Sequence, residues 1–322
     1  MNFCVKAVVV DDLEALKKFV AYYLDQGAAR VALYFENPET KLIGEFAHLD
    51  KVRCQACTPE FLSGLRRYLD RVGPPLHSVA TKAYQDLKED WLVHLDLDEF
   101  MYFPGQKISD VLDKQNESTK VLRPPVVESI ASDNESGIHH FRDKMKPETV
   151  KEIYGDELVA ALEKKNGFIG HSESKIAIRK GLKHVILMSH IVAAMYWPER
   201  LLKPFQRINA TRRPIPEVLT DDGYVLHFNN EPFETWRRKL FWRMAAGDLN
   251  SVLSRGFVKY FFDLADAKKG KSVEQAVEEL YSRLFEFDAN RLKKLDKAGV
   301  LLSFELNFDA LVARYFPSDS DG

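Results

Sequence analysis

The sequence predicts an α/β protein, a mixed and mostly parallel sheet flanked by helices, followed by a helical C-terminal region. Three observations carry this. Short apolar runs alternate with amphipathic stretches up to about residue 105. Those runs are rich in β-branched residues at successive positions, the pattern of strands covered on both faces. The chain has 322 residues and is 45% hydrophobic, enough for one large domain or two smaller ones with a full core.

The elements follow in order. CVKAVVV (4–10) reads as a buried strand, and Asp11 and Asp12 offer N-caps to the next helix. In that helix Leu13, Leu16, Val20, Tyr23 and Leu24 share a face, and Gly27 supplies the stop. RVALYF (30–35) is a second strand and VRCQAC (52–57) a third. EFLSGLRRYL is helical, and Gly73-Pro74-Pro75 breaks the chain. LHSVATKAYQDLKE is a further helix, and WLVHLDLDEFMYF (91–103) is a fourth strand. Beyond it VLRPPVVES reads as a strand, TVKEIYGDELVAALEKK as one helix, and SKIAIRKG and HVILMSHIVAA as strand pieces. FETWRRKLFWRMAAG and VEQAVEELYSRLF are helical. The expected organisation is a sheet domain over 1–232, a helical region over 233–317 and a disordered tail over 318–322.

Charge narrows the function classes. With 46 basic and 48 acidic residues the net charge is −2, which gives no electrostatic argument for nucleic acid or membrane binding. No apolar run reaches the roughly 18 residues of a membrane span. MNFCVKAVVVDD lacks the apolar core and cleavage site of a signal peptide, so a cytoplasmic location is expected. Three cysteines fit a reducing compartment. Cys54 and Cys57 form a CxxC, but on an apparent strand, and are read as free thiols.

The chemistry concentrates in WLVHLDLDEFMYF. Asp96 and Asp98 lie two apart, late in a strand that otherwise reads as buried, so they share a side while Glu99 points elsewhere. Ligands collect beyond the carboxyl ends of strands in open α/β sheets. Two carboxylates held together there repel each other and need a shared proton, a basic side chain or a divalent cation. Oxygen-only ligation suits Mg²⁺ or Mn²⁺, which commonly bind one or two carboxylates together with substrate phosphates. The segment therefore reads as a grip on a diphosphate through a metal.

WLVHLDLDEF resembles the D-x-D-E-F strand of bacterial glycosyltransferases of the family 2 type, in the subgroup that carries W-L-x-x-x-D-x-D-E-F. DLEALKKFVAYYLDQGAARVALYFENP, SKIAIRKGLKHVILMSH and YVLHFNNEPFETWRRK resemble further segments of that subgroup in the same order, over roughly residues 5–245. The chain has VVVDDLEA where the family often carries K-N-E, and His227-Phe228 where it has H-Y.

The resemblance implies a GT-A fold and transfer of a sugar from a nucleotide diphosphate sugar, UDP-linked in the first instance, to an acceptor hydroxyl on a glycan or other molecule, with Mn²⁺ or Mg²⁺ as cofactor. It implies that Asp96 and Asp98 hold the metal with His227 as third ligand, His190 being the alternative, while His94 is read as core. Asp11 and Glu36, at the ends of the first two strands, are expected to meet the base or ribose. Lys82 is a candidate phosphate contact, and Lys175 and Arg179 resemble the family's basic pair. Asp98 carries the catalytic expectation, and Asp143, Glu135 and Glu173 are candidate general bases for an inverting transfer. Trp236 and Trp242 are read as core aromatics. Two other readings compete: a non-catalytic nucleotide-sugar or glycan binding protein on the same fold, and an aspartate-nucleophile phosphatase.

Overall fold

A computed structural model describes residues 1–65, 76–131, 137–194, 213–215, 217–229, 232–245 and 272–317. The chain opens with β1 (Phe3–Val9), α1 (Leu13–Asp25), β2 (Arg30–Phe35), β3 (Val52–Ala56), α2 (Pro59–Ser63) and α3 (Leu76–Gln85). It continues through β4 (Trp91–His94), β5 (Glu99–Tyr102), α4 (Ile108–Asp113), β6 (Val121–Arg123), β7 (Val126–Ser129) and β8 (Ile138–Arg142). Then come α5 (Pro147–Tyr154), α6 (Asp156–Leu162), β9 (Ile176–Arg179), β10 (Val185–Leu187), β11 (Val192–Ala194), β12 (Arg213–Pro214), β13 (Val218–Leu219) and β14 (Tyr224–His227). The last described elements are α7 (Phe233–Ala245), α8 (Val273–Phe285), α9 (Ala289–Lys297), β15 (Leu301–Glu305) and α10 (Phe308–Tyr315).

These elements form two compact units. The first comprises Met1–Pro125, Glu173–Val225 and Asn307–Gly322, and the second Val126–Ser172 and Leu226–Leu306. The units are interleaved along the chain, so they do not coincide with a division at residue 232. The tail over 318–322 lies outside the described residues.

The first unit holds a seven-stranded sheet in the order β13-β6-β9-β4-β1-β2-β3. β4, β1, β2 and β3 run parallel, as do β13 and β6, and only β9 runs against its two neighbours. The expected mixed, mostly parallel sheet with flanking helices is therefore what the chain forms. Asp12 caps α1, its carboxylate accepting from the Ala15 amide at 3.0 Å, and Gly27 ends the helix with φ +87°. The buried face of α1 carries Leu16, Phe19, Val20 and Tyr23. Its two tyrosines also fasten β5: the Tyr22 hydroxyl donates to the Met101 carbonyl at 2.8 Å and the Tyr23 hydroxyl to the Glu99 carbonyl at 3.1 Å. The opposite sheet face packs Cys4, Leu92, Ile176 and Ile178 against Ala80 and Tyr84 of α3.

The second unit pairs β15, β8 and β7 antiparallel and surrounds its own core. Val150, Leu158, Leu162, Leu280 and Leu284 meet there with Trp236, which is a core residue as expected. Trp242 lies on α7, and its side chain is outside the described residues.

Three expected elements divide. VLRPPVVES splits at Pro124-Pro125, where neither residue has an N–H for a ladder, and its halves belong to different units. TVKEIYGDELVAALEKK breaks into α5 and α6 at Gly155, whose φ of +79° no helix interior accommodates. The acidic strand ends at His94, and this third break builds the site.

Candidate functional site

β4 is buried at all four positions, between β1 and β9. One further bond, from the Leu95 amide to the Lys6 carbonyl at 3.1 Å, extends its pairing, and then the chain turns. The Glu99 amide donates to the Asp96 carbonyl at 3.2 Å, closing a β-turn over Asp96–Glu99. The Glu99 carboxylate folds back to accept from the Asp96 amide at 3.0 Å. Asp96 and Asp98 thus occupy a turn at the carboxyl end of β4, not the strand itself. Their proximity comes from the turn rather than from strand alternation, and Glu99 belongs to the same cluster instead of pointing away.

The cluster has a resident cation. Lys175, immediately before β9 and 1% exposed, places its Nζ 2.6 Å from Asp96 Oδ2 and 3.6 Å from Glu99. Asp96 remains 51% exposed at its side chain. Burial raises the pKa of such a carboxyl, but here the Lys175 ammonium, with help from Lys6, outweighs it and holds Asp96 below the usual carboxylate range. Lys175 is shifted the opposite way: burial works to lower it, and Glu99, Asp96 and Asp98 together keep it above the ordinary lysine value.

Arg123 sets the position of Lys175. Its guanidinium donates to the Ser174 carbonyl, to the His190 carbonyl at 2.6 Å, and to both oxygens of Glu217 at 2.5 and 2.9 Å. Four bonds on a planar fork hold the chain just before Lys175 in place.

Beneath the turn lies a residue that no sequence motif singled out. Lys6 sits at the middle of β1 with 1% exposure, in register beside His94. Burial lowers its pKa to about 8; Asp96 opposes that shift and Lys175 adds to it. His94 is a core residue as expected. Burial, reinforced by Lys6 and Lys175, keeps it neutral by lowering its pKa well below the ordinary histidine value. The legible signal for Lys6 was a lone charge inside CVKAVVV, a run otherwise fit for a central strand.

The remaining candidates lie as follows. Asp11 and Glu36 do sit at the carboxyl ends of the adjacent strands β1 and β2; Asp11 accepts from Asn37 Nδ2 at 2.7 Å, and Asp12 is the helix cap. Lys82 pairs with Asp86 one turn on along the surface of α3. Arg179 does not join Lys175. β9 runs antiparallel to β4, so Arg179 lies opposite Trp91 at the far end of the strand. There it donates to the carbonyls of Thr119, Gln115 and Asn116 and covers the Trp91 ring at 4.4 Å. Glu173 is exposed, two residues before Lys175, and His190 sits in the bend between β10 and β11. Glu135 lies outside the described residues. Cys54 and Cys57 are free, and burial pushes both thiols up to about 11, away from reactivity.

Asp143 and His227 belong to the second unit. Asp143 accepts from the Lys144 amide at 2.6 Å. His227 Nδ1 stands 4.0 Å from Glu128 Oε1, within a network centred on the fully buried pair Glu128 and Arg142, 2.8 Å apart. Glu128 also accepts from the amides of Ile169 at 2.8 Å and Gly170 at 2.6 Å. Arg142 donates to the Tyr154 hydroxyl and to the Leu284 carbonyl. A Cβ at Gly170 would stand 2.8 Å from Glu128 Oε1, so a larger residue there would displace that carboxylate.

As donors, Asp96 and Asp98 fit a hard divalent cation that takes its other ligands from phosphates, because both offer carboxylate oxygen and Asp96 is half exposed. Among the described residues no group of three or more His, Cys, Asp or Glu is placed to hold a metal by itself.

No protein-family model matches the chain, and no curated protein does. Among solved structures it is similar in part to HddC from Yersinia pseudotuberculosis, at 10% identity over 43% of this chain and 67% of that one, with a TM-score of 0.28. The bifunctional glycosyltransferase WbbM overlaps 38% of this chain and 23% of its own, at 10% identity and a TM-score of 0.28. The galactosyltransferase LgtC, in complex with donor and acceptor sugar analogues, overlaps 56% of this chain and 58% of its own, again at 10% identity and 0.28. These overlaps are of partial folds, and the chemistry of the site rests on its own residues. No helix among the described residues is long and apolar enough to cross a membrane.

Proposed function

We propose that the protein is a glycosyltransferase that moves a sugar from a nucleoside diphosphate sugar, with UDP as the first nucleotide to test, to an acceptor hydroxyl. The observation that carries this reading is the Asp96–Glu99 turn at the carboxyl end of β4, held against the buried ammonium of Lys175. The sequence resemblance around WLVHLDLDEF supports the same reaction class.

In this reading the base and ribose lie over the ends of β1 and β2, within reach of Asp11 and Glu36, and the diphosphate lies at the turn. Asp96 and Asp98 would hold Mn²⁺ or Mg²⁺, which when bound supplies Lewis-acid stabilisation of the departing diphosphate. Lys175 limits the repulsion between the carboxylates and keeps Asp96 ionised. Arg123 fixes the segment that presents Lys175.

Calorimetry of UDP in the presence of Mn²⁺ and in chelator tests the reading, with metal-dependent binding expected. Equal affinity in both would remove the metal from the site. A screen of nucleotide sugars for hydrolysis or transfer then tests turnover; donor binding with no turnover across the panel would mark a binding protein instead.

A further inference from the structure

Lys6 is as buried as Lys175 but lacks its carboxylate partners. It is 1% exposed, on a central strand flanked by β2 and β4, and its neighbours along the strand are Val5 and Ala7. Taking an ammonium out of water is costly unless a partner offsets it. Lys175 already occupies Asp96 and Glu99. Among the described residues Lys6 has no carboxylate within ion-pairing distance. Its neighbour in register, His94, is 4% exposed, and His94 Nδ1 has no hydrogen-bond partner among the described residues. A lysine and a histidine therefore lie side by side, buried, in the row directly under the acidic turn.

The charges at the turn explain what this arrangement can do. Asp96, Asp98 and Glu99 bring three carboxylates to one β-turn, and Lys175 offsets one of them. Such a turn attracts cations and repels phosphates. A second positive charge held beneath it, in surroundings of low dielectric, weakens that repulsion without occupying the space the ligand needs. We propose that Lys6 is a positioning residue for the diphosphate of the donor: a buried ammonium under the Asp96 turn that acts through the turn to make it accept phosphate. This rests on the reading of the site as a nucleoside diphosphate sugar site, and it adds a residue to which no motif gave a role.

The test is calorimetry of UDP and of uridine, each with Mn²⁺, on the full chain and on Lys6→Met. Lys6→Met is expected to bind UDP about tenfold more weakly than wild type, and uridine, which has no phosphate, as wild type does. A merely structural role would weaken both ligands together. If UDP binds wild type and Lys6→Met binds it equally well, or loses UDP and uridine alike, this inference is overturned while the proposed function stands. If wild type binds no UDP at all, both are overturned. Should Lys6→Met fail to fold, Lys6→Gln takes its place with the same expected losses.

Discussion

Each unit of the molecule buries a cation against a carboxylate, and the two pairs are finished differently. Glu128 and Arg142 are both fully buried, and their polar atoms are met on several sides by Ile169, Gly170, Tyr154 and Leu284. Lys175 is equally buried, but its partner Asp96 stands half in water at a turn, with Asp98 two residues on and Lys6 beneath. A saturated pair inside a core holds elements together. A pair with one open face leaves a carboxylate for a ligand. The difference lies in what surrounds the second partner, since the ion-pair chemistry is the same.

The contrast can be broken at its closed end first. Arg142→Met leaves Glu128 buried without its cation, and should cost about 3 to 5 kcal/mol in chemical denaturation. A loss near zero would mean that the second unit does not depend on this network. At the open end Asp98→Ala should leave stability nearly unchanged and reduce donor turnover about a hundredfold to a thousandfold, about 3 to 4 kcal/mol in the barrier. Wild-type turnover in that variant removes the turn from the site.

Lys175→Met sharpens the comparison, because it removes a cation as buried as Arg142. Water screens the half-exposed Asp96, so the expected stability loss is smaller, about 1 to 2 kcal/mol in the same denaturation experiment. A loss as large as that of Arg142→Met would erase the distinction between the two pairs.

A last test concerns pH. The unfolded chain holds the Lys6 proton up to about pH 10.5, whereas the folded protein releases it near pH 8. Between these values the unfolded state binds more protons, so the stability of wild type relative to Lys6→Met should rise with pH, by about 1.4 kcal/mol per unit at most. The measurement is a difference between the two proteins, because Cys4, Cys54 and Cys57, whose thiols are pushed up, draw stability the other way in both. A constant difference across this window would show that Lys6 keeps its proton in the fold.

What the sequence makes legible follows a physical line. The parallel strands announced themselves because residues buried on both faces must be apolar at successive positions. The helix after β1 was legible from its cap, its apolar face and its terminating glycine. Asp96 and Asp98 could be singled out because carboxylates amid apolar residues need compensation. The turn was not legible, since WLVHLDLDEFMYF carries no glycine or proline to mark it; the Glu99 side chain and the Tyr22 and Tyr23 hydroxyls hold it instead. The place of Arg179 is not legible for a related reason: shared parity with Lys175 says nothing about which end of a neighbouring strand each residue reaches, and the antiparallel run of β9 decides that.

The sequence by itself determined the class of sheet, the helix that follows its first strand and the acidic pair that needs compensation, because those depend on local periodicity and on the cost of burying charge. Only the tertiary structure decided which cation meets Asp96, that Lys6 lies under it, and that Glu128 closes on Arg142. Each of those pairings joins residues far apart in the chain, and the partner of a buried charge is chosen by the packing around it.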